Sequence, residues 1–117
     1  MRNFKELEVW KDARLLTKEI YILSAGLPHE EKFGLTSQIR RSVVSIPSNI
    51  AEGSAKESTK DFCRFLQVSL GSSFELESHL LLCQDLQLLK VETVDSFLIQ
   101  LNRLQRKLSS FIKYLNK

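Results

Sequence analysis

The feature that most constrains this chain is the spacing of its apolar residues, which alternates three and four along most of its length. Val9, Ala13, Leu16, Ile20 and Leu23 follow one another at intervals of 4, 3, 4 and 3. At 3.6 residues per turn, that alternation returns an apolar side chain to one face at every turn, the inward seam of a half-buried helix. The pattern recurs in Leu35, Ile39, Val43, Ile46 and Ile50, and again in Phe62, Leu66, Ser69, Ser73, Leu76, Leu80 and Cys83. A last segment carries Val94, Phe97, Leu101, Leu104, Leu108, Phe111 and Leu115. No stretch shows the period of two that a half-buried strand needs. Gly26 and Pro28 punctuate the end of the first segment, and Gly53 stands where a left-handed cap would end the second. Ser58 with Asp61 opens the third as a variant capping box. The spacing predicts helices over 8–25, 34–52, 59–88 and 92–115 within one domain, 1–117. Short links favour antiparallel neighbours. The expected fold is therefore all-α, an antiparallel up-down-up-down four-helix bundle.

A chain of 117 residues buries one modest core without a metal or disulfide. Four glycines and two prolines are too few for a turn-rich β protein. No apolar run reaches the length of a membrane span, and the opening MRNFKELEVWKD lacks the apolar core of a signal peptide. These features lead us to expect a cytoplasmic protein with no membrane partner. Cys63 and Cys83 fall on one helix, roughly 30 Å apart at 1.5 Å per residue, too far for a disulfide. Packed, reduced thiols fit a reducing compartment.

The third helix has more apolar surface than one seam. Cys63, Leu70, Phe74, Leu81 and Leu88 form a second strip about 100° around the helix. Trp10, Thr17 and Tyr21 form a similar strip on the first. Either these helices are buried over a wide arc, or the strips pack against another subunit, as contiguous apolar patches do. On the second reading, Trp10, Tyr21, Leu70, Phe74 and Leu81 are the oligomer interface.

The stretch Ser45-Ile46-Pro47-Ser48-Asn49-Ile50-Ala51-Glu52-Gly53 sets a proline inside the second helix. Pro47 has no N–H, so it frees the carbonyl of Val43. Ser42, Ser45, Ser48 and Asn49 can bond to loose backbone there. Asn49, next to the seam, is expected to be at least partly buried. Glu52 near a helix C-terminus is disfavoured by the dipole and is expected to find a cationic or donor partner.

The run Gly34-Leu35-Thr36-Ser37-Gln38-Ile39-Arg40-Arg41-Ser42-Val43-Val44 continuing through Pro47, Asn49, Glu52 and Gly53 resembles a bacterial family of four-helix-bundle proteins. That family is encoded in intervening sequences of large-subunit (23S) ribosomal RNA genes. Leu7-Glu8-Val9-Trp10-Lys11 and Gly71-Ser72-Ser73-Phe74-Glu75-Leu76-Glu77 are similar to its pattern too, so the likeness spans nearly the whole chain. The resemblance implies an antiparallel bundle, no enzymatic activity, no cofactor, and assembly into a ring, a homopentamer in several relatives. It also implies kinship with the accessory protein of diversity-generating retroelements, which binds RNA and a reverse transcriptase through a basic surface.

The charges allow two readings. Arg40 and Arg41 flank the seam residue Ile39; they either pair with Glu19, Glu75 or Glu77 across the bundle or hold phosphate, since the guanidinium fork suits both. In an up-down-up-down bundle one end gathers eleven lysines and arginines against six acids, and the other six against eight. The basic end includes Lys56, Lys60, Arg64, Arg106, Lys107, Lys113 and Lys117, and the last 22 residues hold five cations and no acid. Part of this answers helix dipoles. The rest would attract a polyanion such as RNA or DNA through its phosphates. Glu75, His79 and Cys83 share a helix face, but a single helix does not complete a tetrahedral metal set, so no metal is expected. No phosphate-cradling glycine loop or nucleophile triad is present. Two functions are therefore weighed: a non-enzymatic, homo-oligomeric adaptor for RNA or DNA, and a protein–protein scaffold for a neighbouring gene product with no nucleic-acid role.

Overall fold

The computed structural model describes residues 2–117. Four long helices account for most of them: α1 (Glu8–Ser24), α2 (Leu35–Ser54), α3 (Thr59–Asp85) and α4 (Val91–Leu115), with single 3-10 turns at Phe4–Glu6 and His29–Glu31. No strand occurs among the described residues, and no helix is long and apolar enough to cross a membrane. The long axis, 43 Å, is about the length of a 27-residue helix at 1.5 Å per residue, so the helices lie along it. α1 packs on α2, α2 on α3, α3 on α4 and α4 on α1; the α2–α3 contact is the most extensive and the α4–α1 contact the slightest.

The seams fill the shared core. Leu16, Ile20, Ile39, Val43, Ile46, Ile50, Phe62, Leu66, Leu76, Leu80, Leu101 and Leu108 are all fully buried. Side-chain contacts tie neighbouring helices together. Thr17 meets Val43 and Ser24 meets Arg40; Ser45 meets Ser72; Glu8 meets Lys107 and Glu19 meets Gln100.

The proline stretch is a packing device. α2 runs without interruption through Pro47. The Val43 carbonyl, which has lost its donor, lies 3.4 Å from Thr17 Oγ1 on α1, a hydroxyl that sits 2.8 Å from Ala13 O. Ser45, Asn49 and Gly53 recur every four residues, one row on the helix surface facing α3. Asn49 Nδ2 donates to Ser45 O at 2.8 Å, Ser45 and Ser72 hydroxyls share a 2.8 Å bond, and Ser69 Oγ donates to Ile46 O at 2.9 Å. Asn49 is half-buried, as its position beside the seam predicts.

Two expectations about this stretch are corrected. Gly53 does not terminate α2 by a left-handed turn: the helix continues through Ser54, and no described glycine has a positive φ. Its role is steric. A Cβ there would stand 2.6 Å from Phe65 Cβ and 3.1 Å from the Phe62 ring, so glycine lets the two backbones close up. Glu52 is exposed and makes no ion pair among the described residues; water solvates its carboxylate, and no cation is needed.

Ser58 caps α3 as expected, accepting from Asp61 N at 3.0 Å. The far end of α3 stops at Asp85, three residues short of the expected 88. There Gln87 adopts φ 59, while Leu88 N donates to Cys83 O at 2.8 Å and Gln87 N to Gln84 O at 3.0 Å. That bond pair is a Schellman cap, here built without the glycine that usually betrays it in a sequence.

Candidate nucleic-acid interface

Four contacts gather one group of cations. Cys63 Sγ lies 3.5 Å from Asn116 Oδ1, and the Phe62 and Phe111 rings meet edge to face at 5.7 Å, joining the start of α3 to the end of α4. Arg2 Nη1 donates to Lys56 O at 2.7 Å while its guanidinium covers the Phe62 ring at 4.5 Å, adding the N-terminal segment and the α2–α3 turn. Lys56, Lys60, Arg64, Lys113 and Lys117 flank these contacts, and all five are exposed. Lys60, Lys113 and Arg106 on α4 form no ion pair among the described residues. Arg64 pairs with Asp61 at 3.4 Å, but its side chain is 65% exposed, a setting in which such pairs hold weakly. Lys56 lies 5.2 Å over the Phe65 ring and Lys117 5.5 Å over Tyr114, so aromatic faces stand beside the amines.

The other candidates are engaged. Lys107 Nζ sits 2.8 Å from Glu8 Oε1 and 2.7 Å from Asp12 Oδ2, clamping α4 to α1. Hydrogen bonds to Asp12 and then Glu8 raise its amine above the ordinary 10.5, and the Lys107 ammonium holds the Glu8 carboxyl below 4.5. A depressed carboxylate stabilises the fold above its unfolded value and loses that effect as pH falls through the folded one. A raised amine does so below 10.5 and loses it as pH rises further. The clamp is therefore in force between about pH 5 and about pH 10. Lys107→Met is expected to lower Tm measurably at pH 7 and to leave a smaller gap from the native chain at pH 3, measured by thermal melts at both.

Arg40 closes the end of α1: its Nε donates to Ser24 Oγ at 2.8 Å and its Nη2 to Tyr21 O at 3.3 Å, with the guanidinium 4.7 Å over the Tyr21 ring. The Tyr21 carbonyl already accepts from Ala25 N at 3.1 Å and Ser24 Oγ at 3.2 Å, so Arg40 adds a cation at the negative end of the α1 dipole. Arg41 bonds Gln38 at 3.0 Å and reaches Glu75 only at 4.0 Å. Glu19 and Glu77 accept instead from Gln100 and Gln105.

The apolar candidates divide as well. Phe74 and Leu81 are exposed, whereas Leu70 packs partly on the core. Trp10 is half-buried, edge to face with Phe4 at 4.9 Å and covered by Arg14. Tyr21 is under Arg40. Leu15, Ile22 and Ile99 are more exposed than any of these, and the sequence reading missed them. Their signal was present: apolar residues standing off the seams, with Leu15 and Ile22 seven residues apart on one face. His79 Nε2 lies 3.4 Å from a Glu75 oxygen, while Cys83 is fully buried and its thiol is pushed up, chiefly by that burial.

The sequence profile of the family described as 23S rRNA-intervening sequence protein matches residues 5–110. The chain belongs to this family. A protein of unknown function from the S23 ribosomal protein family of Bacteroides thetaiotaomicron has a similar solved structure, with a TM-score of 0.84 and 29% identity over 90% of this chain and 98% of that one. No curated protein matches the chain. Within this intervening-sequence protein, the stretch from Gln38 to Gly53 that resembles the family builds the α2–α3 contact and the Arg40 cap rather than a pocket.

Proposed function

We propose that this intervening-sequence protein is a non-enzymatic, self-associating cytoplasmic adaptor that holds RNA or DNA by its phosphate backbone. In this reading the helices form an antiparallel up-down-up-down bundle whose one pole is the binding surface. The descending register of the helix pairs supports that topology. The observation that carries the function is the difference among the cations. Lys107 and Arg40 are tied into the fold, while Lys56, Lys60, Arg64, Arg106, Lys113 and Lys117 face solvent around the meeting of α3, α4 and the N-terminal segment. Exposed cations without base-reading geometry favour backbone contact over sequence readout. By analogy with the retroelement accessory protein, a reverse transcriptase or another protein encoded nearby would be a second partner.

Fluorescence anisotropy with a labelled RNA hairpin and a DNA duplex tests the reading. If about four phosphates are neutralised, raising salt from about 50 to about 200 mM weakens binding about a hundredfold. The double change Lys60→Glu with Lys113→Glu is expected to weaken binding at least tenfold, and Lys90→Glu, at the other pole, to leave it unaltered. Absence of binding to either nucleic acid at the lower salt would leave the protein–protein scaffold as the function.

A further inference from the structure

The outer edge of α4 carries one row of side chains. Arg103, Arg106, Ser110 and Lys113 follow at spacings of 3, 4 and 3, all four are exposed, and Lys117 stands just past the helix end. At 1.5 Å per residue the row inside the helix is about 15 Å long. Ser110 is its one uncharged member. Beside it, where α4 meets the start of α1, lies a recess of about 440 Å³ walled by Leu7, Val9 and Phe111. That volume is in the range of small-ligand sites. Arg103 and Arg106 stand on its rim.

The acids of α4 and of the recess leave the charge of this row intact. α4 has two, Glu92 and Asp95. The nearer, Asp95, is eight residues before Arg103, about 12 Å along the helix. Glu8 lines the recess, but its carboxylate lies 2.8 Å from Lys107, which also holds Asp12 at 2.7 Å. Arg103, Arg106 and Lys113 form no ion pair among the described residues.

We infer that the recess takes an unpaired base of a single-stranded nucleic acid, while the α4 row holds the phosphates on either side of it. The inference deepens the function proposed above and rests on it. A ligand for this place needs a flat apolar body flanked by anionic groups, since free cations stand both before and after Ser110. An unstacked nucleotide within a strand has that form. A lone carboxylate or phosphate would use the cations on one side of the gap only. A base inside a duplex has both faces covered by its neighbours, so a duplex offers the row its phosphates alone. The walls formed by Leu7, Val9 and Phe111 are carbon, and carbon meets the face of a base rather than its edge. Such contacts tolerate any base, as they do where single strands lie in cationic grooves with apolar platforms.

Anisotropy with the full chain tests this on three labelled probes: a short single DNA strand, an abasic strand of equal length, and a duplex. The native chain is expected to bind the complete strand about tenfold tighter than the abasic one, the scale of one stacked base. Ser110→Leu closes the recess, because a helical side chain leans over the turn before it, here toward Arg106. It is expected to weaken the complete strand by the same factor and to leave the abasic strand and the duplex as they were. Ser110→Ala leaves the recess open and is expected to bind all three probes like the native chain. Position 110 is exposed, so circular dichroism should show native helix content in both variants. The inference is overturned if the abasic strand binds as tightly as the complete one, if Ser110→Leu weakens nothing, or if it weakens the duplex equally. Duplex binding by the native chain that Lys60→Glu with Lys113→Glu weakens would still leave the function proposed above in place. A native chain that binds none of the three probes at about 50 mM salt overturns both readings.

Discussion

Phe62→Ala is expected to destabilise the fold by about 4 kcal/mol, the range for emptying a fully buried aromatic site. Phe62 has no exposed surface. Its ring meets Phe111 edge to face, lies against the α2 backbone at Gly53, and carries the Arg2 guanidinium on one face. Three other parts of the chain converge on it, so their relaxation into the cavity is limited, and the lost aromatic pair adds about 1 kcal/mol. Phe62→Leu retains most of the volume and is expected to cost about 1 kcal/mol. Urea unfolding followed by circular dichroism measures both, with the slope unchanged if only stability moves. Equal, small losses for the two variants would mean that the ring is not the junction described.

Gly53→Val is expected to cost about 3 kcal/mol, the upper end for forcing extra carbons into a packed contact. Helix propensity argues the other way, because glycine inside a helix is the weaker choice by about 1 kcal/mol against alanine. Geometry decides the sign: the first added carbon would lie 2.6 Å from Phe65 Cβ, an atom fixed to its own backbone. α2 and α3 would have to part along their most extensive contact, disturbing the Ser45–Ser72 and Ser69–Ile46 bonds further along. Gly71 is the control. It is exposed, with nothing within 4 Å of a would-be Cβ, so Gly71→Ala should gain about 0.5–1 kcal/mol from propensity alone. A stabilised Gly53→Val protein would show that α2 and α3 are not held at the distance described.

Much of the fold was legible because helix period is a local property. Each seam position named from spacing is buried or half-buried, down to Ser69 and Ser73, which look polar on paper and have no exposed surface. The Ser58 cap was legible for the same reason, since its donor is three residues away. The misreadings concern groups whose partners are distant in the chain. Gly53 resembled a helix stop until Phe65 stood beside it. Gln87 is the exception: its cap bonds, to Gln84 O and from Leu88 N to Cys83 O, are local, but a glutamine at positive φ carries no residue-type signal of a left-handed cap. At the candidate site, a list of cations cannot separate Lys107 from Lys113. Both are lysines on the last helix, yet one reaches two carboxylates of α1 and the other faces water.

By itself the sequence determined that this protein is four helices, which face of each turns inward, and that cations are concentrated in its last segment. Apolar spacing does this because the helical angle between two residues depends only on their separation along the chain. The tertiary structure alone decided which cations are tied down, why a glycine stands at position 53, and which apolar residues are left uncovered. Those outcomes depend on the distance and register between helices joined by loops, and side chains some hundred residues apart, such as Glu8 and Lys107, become neighbours only when the core closes.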